Sequence, residues 1–139
     1  MMLILLVLVT SCGTENAPAQ FEIDERLIPY YELFLSEAAD RGRDLVIPYS
    51  FIIDFNHYID GSGVTRTHKN GLIEIYIHST DWYRWNDYER EYIMFHEFSH
   101  AILKRGHIKN DMSIMTERLY PSLTNYRTNR EEMLQELFR

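Results

Sequence analysis

The sequence predicts one α+β domain in which a small mixed sheet packs on a central helix, with a further helix before and after them in the chain. Three observations support this fold class. Two runs rich in β-branched and aromatic residues predict strands, an amphipathic run after them predicts the central helix, and both flanking segments carry helical periodicity. The 139 residues suffice for one compact domain, which we place at 21–139.

The flanking helices are predicted over 23–41 and from about Asn129 onwards. Pro29 indicates the start of the first helix and Gly42 its end. In the second, Thr128 and Glu131 have the spacing of an N-terminal cap. Its apolar residues share one side, which we expect to face the core: Met133, Leu134, Leu137 and Phe138.

The two predicted strands are the apolar runs at 45–55 and 72–78. The polar section between them carries the glycine-rich segments 61–63 and 69–71. Such segments are typical of turns, so we expect this section to be a hairpin or a mobile loop.

The acidic charge balance argues against nucleic acid and anionic lipid surfaces as partners. The formal net charge is −7 and 45% of the residues are hydrophobic. An acidic globular chain is a poor match for nucleic acid or an anionic lipid surface. We therefore expect no nucleic-acid partner, and we expect a monomer.

The first eleven residues predict a signal peptide, because 1–9 are apolar and too few to span a bilayer. The following 9–13, Val-Thr-Ser-Cys-Gly, resembles the lipobox of bacterial lipoproteins. This resemblance implies lipidation of Cys12, a lipidated tether over 12–20 and membrane attachment through the lipid. The expected location is the outer membrane or cell surface. The pattern departs from the usual signal in having no Lys or Arg before the apolar run.

The central helix carries the motif H-E-x-x-H at 96–100. Four residues separate His96 from His100, about 400° of helical rotation, so both imidazoles project from one face. Glu97 lies about 100° further round, where a general base for a zinc-bound water is needed. Asn86 and Glu89 have capping-box spacing, which starts the helix at about the next residue after Asn86.

A catalytic zinc ion needs three protein ligands, and His107 is the predicted third. On a continued helix it would lie roughly 10 Å beyond His100, so the chain must turn back. Gly106 is the residue expected to make that turn with a positive φ.

These residues, followed by Ser113-Ile114-Met115, resemble the metzincin group of zinc peptidases. The resemblance implies a zincin-like catalytic domain with one Zn²⁺ on His96, His100 and His107. It also implies Glu97 as the base and Met115 in a turn beneath the metal. In metzincins a glycine follows the second histidine by three residues and the third ligand comes three later. Here Leu103 holds the glycine position, and the third histidine comes one residue late.

That departure leaves alternatives for the third ligand. Some zincins use an aspartate, for which Asp111 is the candidate, and gluzincins use a glutamate on a later helix, for which the candidates are Glu131 and Glu132. The other histidines are expected to be ordinary solvated or hydrogen-bonded side chains: His57, His68 and His78.

The expected activity is hydrolysis of a peptide or protein substrate by a zinc-activated water. By analogy with zincins, the substrate pairs with an edge strand, predicted as Leu72, Ile73, Glu74, Ile75, Tyr76, Ile77 and His78. Some metzincins also stabilise the oxyanion with a tyrosine after the methionine turn, which makes Tyr120 and Tyr126 candidates. The alternatives are a non-catalytic zinc-binding or interaction module, and a lipoprotein in which the motif is coincidental.

Overall fold

The structure is a computed structural model that describes residues 19–139. The predicted signal peptide, Cys12 and most of the tether lie outside the described residues. The described chain is α+β, as predicted. In chain order its elements are β1 (Phe21–Ile23), α1 (Ile28–Asp40), β2 (Ser50–Phe55), β3 (Gly63–Thr67), β4 (Leu72–Ile77), α2 (Ser79–Arg84), α3 (Asp87–Ala101) and α4 (Leu119–Leu137).

The strands form one mixed sheet in the order β1-β2-β4-β3. Strands β1, β2 and β4 are parallel, and β3 is antiparallel to β4 at one edge of the sheet. The glycine-bracketed section therefore forms a hairpin with the strand that follows it, which is the first of the two predicted alternatives.

One face of the sheet carries the core. Alternate residues of β2 and β4 are buried because side chains of a strand point to opposite faces in turn. The buried set is Phe51, Ile53, Ile73, Ile75 and Ile77. It forms one apolar cluster with residues of α1, α3 and α4, including Phe34, Phe95, Phe98 and Leu134.

The helix predicted over 23–41 starts later than expected. Phe21–Ile23 forms β1, paired with β2, and α1 begins at Ile28 with Pro29 in its first turn. Gly42, just after the helix, has a φ of 70°, which is the predicted stop. Of the run at 45–55, only Ser50–Phe55 is a strand, because Pro48 disfavours sheet pairing in the first part.

The last helix begins ten residues earlier than predicted, at Leu119. Its backbone leaves helical geometry at Tyr120 and at Asn129, so the predicted start coincides with the second break. Glu131 does not cap this point, because its carboxylate pairs with Arg41 of α1 at 2.7 Å. The predicted inner side is buried as expected.

Within residues 19–139, no helix has both the length and the apolar character needed to cross a membrane.

Candidate metal centre

Helix α3 brings the central motif into position. The side chain of Asn86 accepts a hydrogen bond from the Glu89 amide at 3.1 Å, and the Glu89 carboxylate accepts one from the Asn86 amide at 2.8 Å. This is the predicted capping box. The opposite side of the helix is buried in the core through Met94, Phe98, Ala101 and Ile102, so the helix is fixed on its apolar side while the histidines face outwards.

The three predicted histidines converge on one point. The Nε2 atoms of His96, His100 and His107 lie 3.1 Å apart in each of the three pairs. Three imidazole nitrogens at this spacing are close enough together to bind one metal ion. Within residues 19–139 these histidines are the one group of three or more His, Cys, Asp or Glu placed to share a metal ion.

Hydrogen bonds from the Nδ1 atoms to backbone carbonyls fix the tautomers of His96 and His100. The Nδ1 atom of His96 is 2.7 Å from the Ile114 carbonyl oxygen, and that of His100 is 2.7 Å from the Arg105 carbonyl oxygen. A carbonyl only accepts, so each Nδ1 carries the proton and each Nε2 of a neutral ring presents a lone pair. This is the arrangement of metal-binding histidines.

Burial favours the neutral form of both rings. Burial lowers the pKa of His96 to about 4; its bond to Ile114 opposes this shift, and the neighbouring histidines add to it. Burial also lowers the pKa of His100, against the opposing effect of the Arg105 carbonyl. Two neutral imidazoles with facing lone pairs at 3.1 Å repel each other unless a cation lies between them. The donor set therefore fits a divalent metal ion.

The chain turns back after α3 and brings His107 to the other two histidines, as predicted. The residue with the positive φ at this reversal is not the predicted one. Helix α3 ends at Ala101, and Lys104 adopts a φ of 57°. Gly106 is not among the residues with positive φ, so its prediction as the turning residue was wrong. Two contacts accompany the reversal: the Arg105 amide donates to the Ser99 carbonyl at 3.1 Å, and Lys104 Nζ donates to the Ala101 carbonyl at 2.5 Å.

Glu97 lies beside the three histidines and is 5% exposed. The hydroxyl of Thr65, on β3, donates to its Oε2 at 2.6 Å. Burial raises the pKa of Glu97 to about 7, and the bond from Thr65 opposes that shift. Gly63, on the same strand, leaves the space for this side chain: a Cβ there would lie 2.8 Å from Oε1.

The turn at 113–116 lies beneath His96, since it supplies the Ile114 carbonyl. Met115 is fully buried in this turn. Its carbonyl accepts from the Ile108 amide at 2.9 Å, which ties the turn to the segment just after His107.

A cleft of about 590 Å³ opens over the motif. Edge strand β3 and the loop before it form one wall, α3 forms the floor, and the segment after the turn forms the other wall. Its lining includes Gly61, Gly63, Thr65, Thr67, Tyr92, Ile93, His96, Glu97, His100, His107, Thr116, Glu117 and Leu119.

The alternative ligands do not join the histidines. Asp111 is exposed and lines a neighbouring depression that shares Thr116 and Glu117 with the cleft, and it is not in the group of side chains placed to share a metal ion. Glu131 pairs with Arg41, and Glu132 is exposed on α4. The remaining histidines have other contacts: the ring of His57 lies against that of Tyr58, His68 pairs with Glu74, and His78 caps α2 by accepting from the Asp81 amide.

The prediction that 72–78 is an edge strand available to a substrate was wrong. Its residues Leu72, Ile73, Glu74, Ile75, Tyr76 and Ile77 form β4, which is paired with β2 on one side and β3 on the other. Its backbone therefore has no free edge for a substrate. His78 follows it as the N-cap of α2. The strand at the edge beside Glu97 is β3.

Neither candidate tyrosine lines the cleft. Tyr126 is fully buried, and its hydroxyl donates to the Glu91 carboxylate at 2.5 Å. Tyr120 is 61% exposed on the surface. The sequence analysis also missed Gly63 and Thr65 as site residues, because only the pairing of β3 at the sheet edge brings them to Glu97.

No family model, curated protein or solved structure matches this chain. Its likeness to metzincins therefore consists of the motif residues quoted above.

Proposed function

We propose that this chain is a zinc-dependent peptidase that cleaves peptide bonds with water. The observation that carries the proposal is the convergence of three Nε2 atoms beside a buried carboxylate, in a cleft that has an edge strand as one wall. His96, His100 and His107 would hold the metal. When bound, Zn²⁺ supplies a Lewis acid that polarises a carbonyl and lowers the pKa of water.

Glu97 is the general base of the proposed reaction. It accepts a proton as the water oxygen attacks the carbonyl carbon, and it delivers a proton to the amine nitrogen as the carbon–nitrogen bond breaks. Thr65 holds one carboxylate oxygen through its 2.6 Å hydrogen bond. The other oxygen lies next to Gly63, at the wall of the cleft.

The proposed substrate is an extended peptide that pairs with β3. Strand β3 is hydrogen-bonded to β4 on one side, and no other strand of residues 19–139 pairs with its outer side. Addition of a strand to such an edge fixes a peptide through its backbone and leaves alternate side chains to select the sequence. The scissile bond would then lie over Glu97.

Variants of Glu97 test the catalytic part of the proposal. Glu97→Gln removes the base and leaves the three imidazoles intact, so we expect one zinc ion per chain but no cleavage of a quenched fluorescent peptide library. The control is Asp87→Asn on the same helix, whose side chain is 90% exposed. Equal cleavage by Glu97→Gln would remove Glu97 from the mechanism. Zinc binding by the unsubstituted chain without any cleavage would favour the non-catalytic module.

Export and lipidation are a separate proposal, which is based on the apolar run 1–9 and the lipobox-like 9–13. Full-length protein expressed in a bacterium should incorporate labelled palmitate, and Cys12→Ser should abolish this labelling. Equal labelling of both proteins would contradict lipidation at Cys12.

A further inference from the structure

The two carbonyls that orient His96 and His100 belong to different segments. Ile114 lies in the turn at 113–116, and Arg105 lies just after α3. Neither segment is a helix or a strand, so neither carbonyl is held by regular secondary structure. The distance between the two carbonyls nevertheless has to be fixed, because the Nε2 atoms of both rings must point at the same metal position.

One side chain of α4 contacts both segments. Glu136 accepts a hydrogen bond from Arg105 through Oε1 at 2.5 Å and from the Ser113 hydroxyl through Oε2 at 2.7 Å. Its side chain is 20% exposed. The carboxylate thus bridges the segment that orients His100 and the turn that orients His96.

The Arg105 end of this bridge is held by further bonds. Its Nη1 atom donates to the carbonyls of Glu136 at 3.1 Å and Leu137 at 3.0 Å. These lie in the last turn of α4, where carbonyls lack helical partners and a cation is favoured. Arg105 is therefore bound to α4 by an ion pair with Glu136 and by hydrogen bonds to two backbone carbonyls.

The Ser113 end is buried and fully connected. The Ser113 hydroxyl also accepts from the Met115 amide at 3.1 Å, and the Ser113 carbonyl accepts from Ser122 at 2.7 Å. The Ser122 hydroxyl in turn accepts from Tyr92 of α3 at 2.9 Å. Ser113 and Ser122 have no exposed surface. A buried network of this kind fixes the turn relative to both helices.

We propose that Glu136 is a positioning residue for the metal centre: through the side chains of Arg105 and Ser113 it ties together the two segments whose backbone carbonyls orient His96 and His100. The inference rests on the proposed zinc site but not on peptidase activity. Groups that orient metal-binding histidines typically change metal affinity by 10–100-fold when they are removed. The C-terminal helix then determines how well the site on α3 holds its metal.

The test compares metal binding by Glu136→Met and Glu131→Met. Methionine removes both acceptors of Glu136 and keeps side-chain length and helix propensity. Glu131 is the matched control because it lies on the same helix and also pairs with an arginine, but is 68% exposed. Zinc affinity is measured by competition with a chelator. The visible absorption of the Co²⁺-loaded protein reports the ligand geometry.

Glu136 acts through Arg105 and Ser113 and not on a histidine directly, so we expect Glu136→Met to weaken zinc binding by about 10-fold, the lower end of that range. It should also alter the Co²⁺ spectrum, while Glu131→Met changes neither. Glu136→Gln should recover most of the affinity, since its amide can accept from Arg105 and donate to Ser113. A folded Glu136→Met protein with unchanged affinity and spectrum would overturn the inference. Absence of metal binding in the unsubstituted chain would overturn the proposed function as well.

Ser113→Ala keeps the inference falsifiable if Glu136→Met does not fold. It removes the Ser113 arm of the bridge, together with the acceptor of the Met115 amide, and leaves the carboxylate paired with Arg105. Zinc binding should weaken and the Co²⁺ spectrum should change, as expected for Glu136→Met. Unchanged affinity in Ser113→Ala would count against the bridge.

Discussion

The hydroxyl of Thr65 donates a hydrogen bond of 2.6 Å to the carboxylate of Glu97. The donor lies on edge strand β3 and the acceptor on helix α3, which are 32 residues apart in the chain. One strand therefore both forms the wall of the cleft and holds the proposed general base.

The first prediction removes that hydrogen bond. Thr65→Val should lower peptide cleavage by about 10–100-fold, because a hydrogen bond to a charged group is worth about 1.5–3 kcal/mol. Thr65→Ser should retain activity. Zinc affinity should be unchanged in both, since Thr65 is not a ligand. Thr67→Val, on the same strand and also lining the cleft, serves as the control, and equal rates for the two valine variants would contradict this role of Thr65.

The second prediction concerns Gly63→Ala. The new Cβ would lie 2.8 Å from Oε1 and 2.9 Å from Cγ of Glu97. The Cγ atom is in the middle of a buried side chain that Thr65 holds, so the whole side chain must shift and that hydrogen bond is lost. The free energy of unfolding should fall by about 1.5–3 kcal/mol, and cleavage should fall steeply because the carboxylate is displaced. Thermal unfolding and cleavage measured on the same sample test this: unchanged stability, or full activity, would disagree with it.

The third prediction separates the candidate ligands. Removal of a group that only orients a ligand typically weakens metal binding by roughly 10–100-fold. His107→Ala should weaken zinc binding more than that, because it removes a side chain that binds the metal directly. Asp111→Asn should leave the affinity unchanged, since Asp111 lies apart from the three histidines. Chelator competition on both variants is the measurement. A larger effect at Asp111 than at His107 would reassign the third ligand.

The local parts of the site were predictable from the sequence. The spacing of His96 and His100, the cap at Asn86 and the buried stripe of α3 all follow from residues within one helix. Such patterns depend on 3.6-residue periodicity and on side-chain bonds to nearby amides, both of which are visible in a short window of sequence.

The parts set by long-range pairing were not predictable. Whether β3 or β4 is the edge depends on the pairing of β4 with β2, and nothing local to 72–77 encodes this. The three residues of β1 are too few to show a period, and they are a strand only because β2 is beside them. The contact of Thr65 with Glu97 follows from the same sheet order, so the sequence did not predict it either.

The fourth prediction concerns the reversal at Lys104. An L-residue at a φ of 57° costs about 1–2 kcal/mol, and a β-branched one more. Lys104 already bears that cost, so Lys104→Val should destabilise the fold only by the extra strain of a branched Cβ, about 1 kcal/mol. It should also weaken zinc binding, because the next residue supplies the carbonyl that orients His100. Lys104→Gly should be tolerated.

The control for this comparison is Gly106→Ala. A Cβ at Gly106 would meet no atom within 4 Å, and its φ is not positive. Chemical denaturation should show almost no change for this variant. If Gly106→Ala is more destabilising than Lys104→Val, the reversal in solution occurs at the glycine after all.

The last prediction concerns alkaline pH. Burial, together with the charge of Glu91, raises the pKa of Tyr126, and burial raises that of Tyr92 to about 12. In the unfolded chain both titrate near pH 10. The folded state therefore retains protons that the unfolded state releases, so stability is fully present below pH 10 and falls as the pH rises above it.

Each of these tyrosines should contribute a slope of about 1.4 kcal/mol per pH unit above pH 10. Tyr126→Phe removes one contribution, so its stability should fall less steeply between pH 10 and 11.5 than that of the unsubstituted chain. Arg130 still pairs with Glu91 at 2.5 Å in the variant, which limits other losses. Urea denaturation at several pH values gives both slopes, and parallel slopes would mean that Tyr126 ionises as readily in the folded state as in the unfolded one.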